Sequence, residues 1–312
     1  MKKLILPLII LSSINTYAQN SYLDSIIENT NEYRKGMHDT LVNSAKGIDN
    51  FFDSTEQKIE GYNNTYGLIQ LSAFYNEGEG VHFDQKVSIK LKLPKLKKNF
   101  KLLFESDEVR ENVDFTENHT KNNSDNFNLA LLYEDYLGNN VDFKTKAGIK
   151  LGSTLNPFIR AEIKKVIKDV KGINYTFSQS AKESVKDKLE LTSYIRLDKP
   201  INDEFSLHNY YEYYWQSTKS NDSQLYASLY LVQRLSQKNT LTYTLGSNMD
   251  NIDSNLKMKR YNATLTYRHW LRKWIFIDTI PENYYTEEED FKPMYSIKFN
   301  LGMYINKDSY RR

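Results

Sequence analysis

The chain has 312 residues, of which 26% are charged, and a formal net charge of +2. That near balance provides no basic face for nucleic acid. The absence of cysteine excludes disulfides, thiolate metal sites, a cysteine nucleophile and a lipoprotein anchor.

Met1-Lys2-Lys3 precedes a short apolar run, LILPLIILSSI over 4–14, and then Thr16-Tyr17-Ala18. A charged start, an apolar core and a small-residue site make a Sec-type signal peptide over 1–18, with cleavage expected after Ala18. The run is too short for a transmembrane helix, and no other stretch approaches the roughly 18 apolar residues a spanning helix needs.

Residues 19–60 form a different segment. Leu23, Ile26, Ile27, Met37, Leu41, Ala45, Ile48 and Phe52 recur at helical spacing, so one or two amphipathic helices are expected within 21–53. Such a helix is read either as a plug or docking element, or as a periplasmic helix against the base of the next domain. His38-Asp39 is expected to be solvated on its polar face.

From residue 66 the period becomes two. VSIKLKLP (87–94) sets Val87, Ile89, Leu91 and Leu93 against Lys90 and Lys92. NVDFKTKAGIKLG (140–152), KLELTSYIRLD (188–198), LTYTLGS (241–247) and MYSIKFNLGMYI (294–305) alternate in the same way. Successive side chains of a strand point to opposite faces, so each segment has one apolar and one polar face. Turn signals such as PKLKKN, LGNN, KPIND, SQKN and NIDSN separate them. About 14 strands are expected, with 12 as the alternative; 155–165 and 172–181 carry the weakest pattern.

The fold class is therefore all-β, and three features choose an antiparallel transmembrane barrel over a soluble sandwich. Many segments run 10–14 residues, whereas soluble strands average about five or six and tilted membrane strands about 9–11. The polar face carries Lys, Arg and Glu throughout, as a wet lumen allows. Aromatic residues lie near segment ends, at Tyr75, Phe83, Tyr133, Tyr136, Trp215, Trp270, Trp274, Tyr285 and Phe291, as interfacial girdles do. The barrel is expected over 61–306, followed by a tail over 307–312. The last strand would pair with the first, because open edges do not survive in hydrocarbon. With an even strand number, the loops over 105–125 and 281–293 face outside and the short turns face the periplasm.

Two stretches sharpen this reading. NSAKGIDNFFDS (43–54), followed by a strand and EGEGVHFDQKVSIKLKLPKLKKNFKLLFESD (77–107), resembles the start of a family of uncharacterised bacterial outer-membrane β-barrel proteins. WIFIDTIPENYYTEEEDFKPMYSIKFNLGMYI (274–305) resembles that family's terminal hairpin. The resemblance implies a barrel in the outer membrane, with lipids, lipopolysaccharide and the barrel assembly machinery as partners. It carries no catalytic residues over. Barrel proteins commonly end on an aromatic residue that the assembly machinery reads, whereas this chain continues through NKDSYRR, which places the signal at Tyr304 or Ile305.

No catalytic, cofactor or metal site is expected. Ser206 and His208 share a strand face, but alternation points them to the lumen, away from lipid substrates. DNIDSN (250–255) reads as a turn, and EEED (287–290) as a solvated loop. The functional signal is the lumen charge. Lys86, Lys90, Lys92, Lys101, Lys144, Lys146, Lys150, Arg160 and Lys164 project inward, with Glu105, Asp142, Glu162, Glu190, Glu212 and Asp278 as candidate partners. An unpaired basic wall would attract anions through a water-filled channel; a paired one would form salt-bridge ladders that seal and stiffen the lumen. The expected function is a narrow pore or channel for small hydrophilic or anionic solutes. The alternatives are a structural or docking barrel with a filled lumen and a periplasmic partner for its helix, and, as a minor reading, a barrel lipid hydrolase.

Overall fold

Strict alternation over 10 or more residues gives a strand that is apolar on one side only, and such strands bury their edges by closing on themselves. The computed structural model shows that closure. It describes residues 17–52, 61–62, 65–96, 99–106, 127–219, 223–252 and 255–306. The first 16 residues of the expected signal segment, most of the long loop after residue 105 and the tail over 307–312 lie outside the described residues.

One helix, α1 (Tyr17–Phe52), precedes 14 strands. These are β1 (Tyr66–Asn76), β2 (Gly80–Lys92), β3 (Phe100–Ser106), β4 (Phe127–Gly138), β5 (Val141–Leu151), β6 (Asn156–Val170) and β7 (Ile173–Ser184). They continue as β8 (Lys188–Pro200), β9 (Phe205–Gln216), β10 (Ser223–Arg234), β11 (Asn239–Ile252), β12 (Asn255–Arg272), β13 (Ile275–Thr286) and β14 (Met294–Ile305). Every strand pairs antiparallel with its sequence neighbours, and β1 pairs with β14 in register from Gly67↔Ile305 to Asn76↔Ser296. The 12-strand alternative is thereby set aside, and the two weakly patterned segments are the regular strands β6 and β7.

Turn chemistry fixes the register. Asn139 and Asn140 both take positive φ between β4 and β5, as do Lys171 and Gly172 between β6 and β7. Two consecutive residues of that kind match the right-handed twist of the strands they join.

The two faces separate cleanly. Outward positions keep large apolar side chains exposed, among them Leu71, Ile159, Ile163, Leu229, Leu245, Phe299 and Leu301. Inward positions are buried and largely polar, including Ser72, Thr176, Ser180, Glu212, Thr242, Asp278 and Asn300. This inversion is what a hydrocarbon exterior requires. At the end opposite the termini, Tyr261 stacks on Tyr285 at 4.6 Å and on Phe291 at 5.7 Å. Trp270 corrects the girdle expectation: its ring turns inward and packs 5.1 Å from Phe276 and 6.2 Å from Tyr304. This is the inward parity that Trp270 shares with Thr266 and Arg268, and a register shift follows it between Trp270 and Arg272.

The helix lies against the outer wall at the end of the barrel where the chain enters and leaves. Val42, Ala45 and Leu91 share a buried cluster, with Leu41, Ile48, Ile89 and Leu102 packed against it. Ile89, Leu91 and Leu102 belong to the outward face, so α1 is not a plug. Its barrel-facing stripe runs Arg34, His38, Val42, Ala45 and Asp49, all buried. His38, expected in solvent, is only 5% exposed, with Asp39 Oδ1 3.6 Å from its Nδ1. At one end of the stripe Arg34 donates to the Asn306 carbonyl and lies 5.2 Å over the Trp274 ring. At the other, fully buried Asp49 accepts from Tyr62 Oη at 2.7 Å, from the Lys95 amide at 2.7 Å and from the Leu96 amide at 3.0 Å. No described helix is long and apolar enough to cross a membrane.

Candidate functional site in the barrel lumen

Strand register decides which inward charges meet. Glu134 lies directly opposite Lys144, Asp142 opposite Lys164, Lys182 opposite Glu190 and Arg268 opposite Asp278. Facing residues of an antiparallel pair have Cβ atoms about 4.5–5.5 Å apart, within reach of an ion pair. Lys164 Nζ is 3.3 Å from Asp142 Oδ2, Lys182 Nζ is 3.0 Å from Glu190 Oε2, and Lys144 Nζ is 3.7 Å from Glu134 Oε1. Lys101 also pairs with Glu134.

The same register places like charges side by side. Lys146 faces Arg160, and Arg160 faces Lys182. Each has its own carboxylate: Lys146 reaches Glu105 at 3.2 Å, and Arg160 reaches Glu162 at 3.6 Å with Ser180 Oγ at 3.2 Å. The acidic residues expected as partners thus serve this wall, except Glu212 and Asp278. Glu212 accepts from the Tyr210 hydroxyl. Asp278 receives Arg268 through both guanidinium branches, at 2.7 and 3.0 Å. Lys86 and Lys90 sit on the inner face of β2, Lys90 with its ammonium 5.5 Å from the Tyr66 ring. Lys92 and Lys150 have no ion-pair partner among the described residues. The lumen is therefore a belt of both signs.

Sequence reasoning overlooked Glu134, Arg260, Arg268 and Glu282. Arg260 bonds Glu282 at 2.9 Å and covers the Tyr284 ring at 4.2 Å. Each occupies the inward parity of its strand, so the signal was present, but only register shows which strands bring these charges together.

A second constellation lies on β8–β10. Asp198 Oδ1 is 2.6 Å from His208 Nδ1, and Ser206 Oγ is 2.8 Å from His208 Nε2. Arg196 Nε binds the other Asp198 oxygen at 2.9 Å, and His208 stacks 4.8 Å from Tyr230. Distances of this kind satisfy the nucleophile–base–orienter contacts of a serine hydrolase. The surroundings do not complete one. Ser206 lies within a paired strand, between Pro200 and Val232, so the local amides serve the sheet. Asp198 also shares its charge with Arg196. The chain Arg196–Asp198–His208–Ser206 fixes the inner wall of β8 and β9.

Several inward clusters narrow the lumen, among them Tyr210 and Tyr230 with Tyr194, Tyr226 and Val232 packed against them. Leu103, Ala130, Leu132 and Phe158 bury one another on β3, β4 and β6. Phe276 and Tyr304 join Trp270, and Arg268 lies 4.1 Å over the Phe276 ring. No group of His, Cys, Asp or Glu among the described residues is arranged to hold a metal.

No known protein family and no curated protein matches this chain. Solved structures do. OprB of Pseudomonas putida aligns with a TM-score of 0.51 and 10% identity, covering 77% of this chain and 93% of that one. OmpT, an outer membrane protein of Vibrio cholerae, aligns at 0.49 and 10% identity, covering 80% and 100%. The outer membrane channel DcaP of Acinetobacter baumannii aligns at 0.46 and 9% identity, covering 77% and 96%. The closed antiparallel barrel of 14 strands is the fold of bacterial outer-membrane β-barrel proteins.

Proposed function

We propose that this protein is an outer-membrane pore of narrow bore that passes small hydrophilic solutes. The observation that carries this reading is the belt of paired charges lining the lumen from Lys101 on β3 to Glu190 on β8, with Arg260–Glu282 and Arg268–Asp278 on the far wall. A wall that needed only to be filled would favour apolar packing, since removing charges from water is costly. A wall that carries charges of both signs offers partners to a polar solute as it sheds water. Pairing cancels much of the field of the lysines, so weak selectivity between anions and cations is expected, and not strong anion preference.

The signal peptide supports export across the inner membrane, and the exposed apolar band supports residence in the outer membrane. The barrel assembly machinery is the expected route of insertion.

Conductance of the refolded chain, residues 19–312, in a planar bilayer tests the pore. Discrete steps with weak selectivity are expected. Glu134→Gln removes the carboxylate shared by Lys101 and Lys144 and should shift the reversal potential toward anions. Silence from both proteins, with folded barrels confirmed, would overturn the pore. It would favour a second reading, a structural barrel closed by the Leu103–Leu132–Phe158 and Trp270–Phe276–Tyr304 clusters.

A further inference from the structure

The helix and the outer wall do not meet along their whole line of contact. Above the barrel-facing stripe of α1, a second stripe borders a groove of about 880 Å³. That lies within the ~300–1,000 Å³ usual for small-molecule sites. Ile69, Ile89 and Ile305 form its wall, and Met37 and Leu41 belong to the helix side. The three isoleucines sit on the outward parity of β1, β2 and β14. Their face continues along the same strands as Leu71, Leu301 and Phe299, which are exposed. The groove is therefore continuous with the surface that meets hydrocarbon and lies at that surface's periplasmic end.

Its charge is one-sided. Among the described lining residues Glu32 is the only charged group. Arg34, two positions away, is turned to the barrel and occupied by the Asn306 carbonyl and the Trp274 ring. An apolar wall with one carboxylate at its rim complements an acyl chain that ends in an ammonium-bearing headgroup. It opposes an anionic headgroup.

We propose that this groove is a binding site for one phospholipid of the periplasmic leaflet, with an acyl chain against Ile69, Ile89 and Ile305 and an amine headgroup at Glu32. The inference rests on the outer-membrane reading, but not on conduction. It makes α1 an interfacial helix that holds a lipid against the barrel.

Gly36 provides the test. It lines the groove, and a Cβ added there meets nothing within 4 Å. Gly36→Trp would fill the groove, while Gly36→Ala leaves it open and favours the helix. Each protein is refolded into vesicles of phosphatidylethanolamine and phosphatidylglycerol, extracted in mild detergent and examined by native mass spectrometry. Heat-modifiable gel migration confirms the barrel. One retained phosphatidylethanolamine is expected for the native chain and Gly36→Ala, with about a tenfold lower bound fraction for Gly36→Trp. Glu32→Gln should erase the preference over phosphatidylglycerol. Equal retention by folded Gly36→Trp, or equal retention of both lipids by the native chain, would overturn the site. A native chain that fails to insert into vesicles at all would overturn the membrane reading, and the groove with it.

Discussion

Single residues in the wall are set by what faces them across the strand gap. Gly302 lies opposite Phe276, and a Cβ at that position would stand 2.1 Å from the ring's far carbon. The ring is only 1% exposed and has nowhere to move. Gly302→Ala should therefore destabilise the barrel by about 1–3 kcal/mol, the usual range for overpacking a filled site. Urea unfolding would show a lower midpoint, and Phe276→Leu added to Gly302→Ala should restore part of it, because the two positions share one contact. Parity showed that Gly302 and Phe276 face inward. It did not show that they meet, because register is a property of two strands and the sequence lists one at a time. The same limit hid Glu134 and Arg268, whose partners lie on neighbouring strands. Trp270 is a different case: its place near a segment end suggested the girdle, although its parity, shared with Arg268, points inward.

Among the elements, strands were legible wherever one face meets lipid throughout. The pattern weakened in β6 and β7, where Lys165 and Gln179 occupy outward positions among apolar residues. The helix was legible as a helix, but its docking was not. Three of the residues it buries, Arg34, His38 and Asp49, are polar types that an apolar-stripe reading discards. Asp49 anchors that docking. Asp49→Ala would leave the Tyr62 hydroxyl and two turn amides without their acceptor, each worth about 1–3 kcal/mol when stranded in a buried site. Limited proteolysis should then cut α1 faster while the barrel keeps its heat-modifiable migration. The same contact predicts a response to alkali. Burial and the hydrogen bond to Asp49 push the Tyr62 phenol from 10.0 up to about 12. A raised pKa means that docking is fully supported below pH 10 and loses that support as pH rises toward 12. Cleavage of α1 should accelerate across that window in the native chain. Tyr62→Phe, with nothing to ionise there, should show a flatter profile.

At the scale of the whole molecule, an even strand count returns both ends of the barrel to one side. That follows from the number of alternating segments and the turns between them, so closure could be expected before any coordinate. The helix's place across the join could not, since it depends on contacts such as Arg34 with Asn306, 272 positions apart. Those contacts bear on how such a ring frays. Thirteen neighbour pairs are each tied by a connection at one end, but β1 and β14 have none at either. Cross-strand hydrogen bonds there have only one another to lean on, and thermal opening of a ladder starts at an untied end. By gripping the residue after β14 with Arg34 and the turn after β2 with Asp49, α1 does for this pair what a hairpin turn does for the rest. Amide exchange at Gly67–Leu71 and Leu301–Ile305 should then be as slow as in β9 and β10. In Asp49→Ala the first amides to exchange should lie at the periplasmic end of that pair, and the opening should spread from there toward Tyr75.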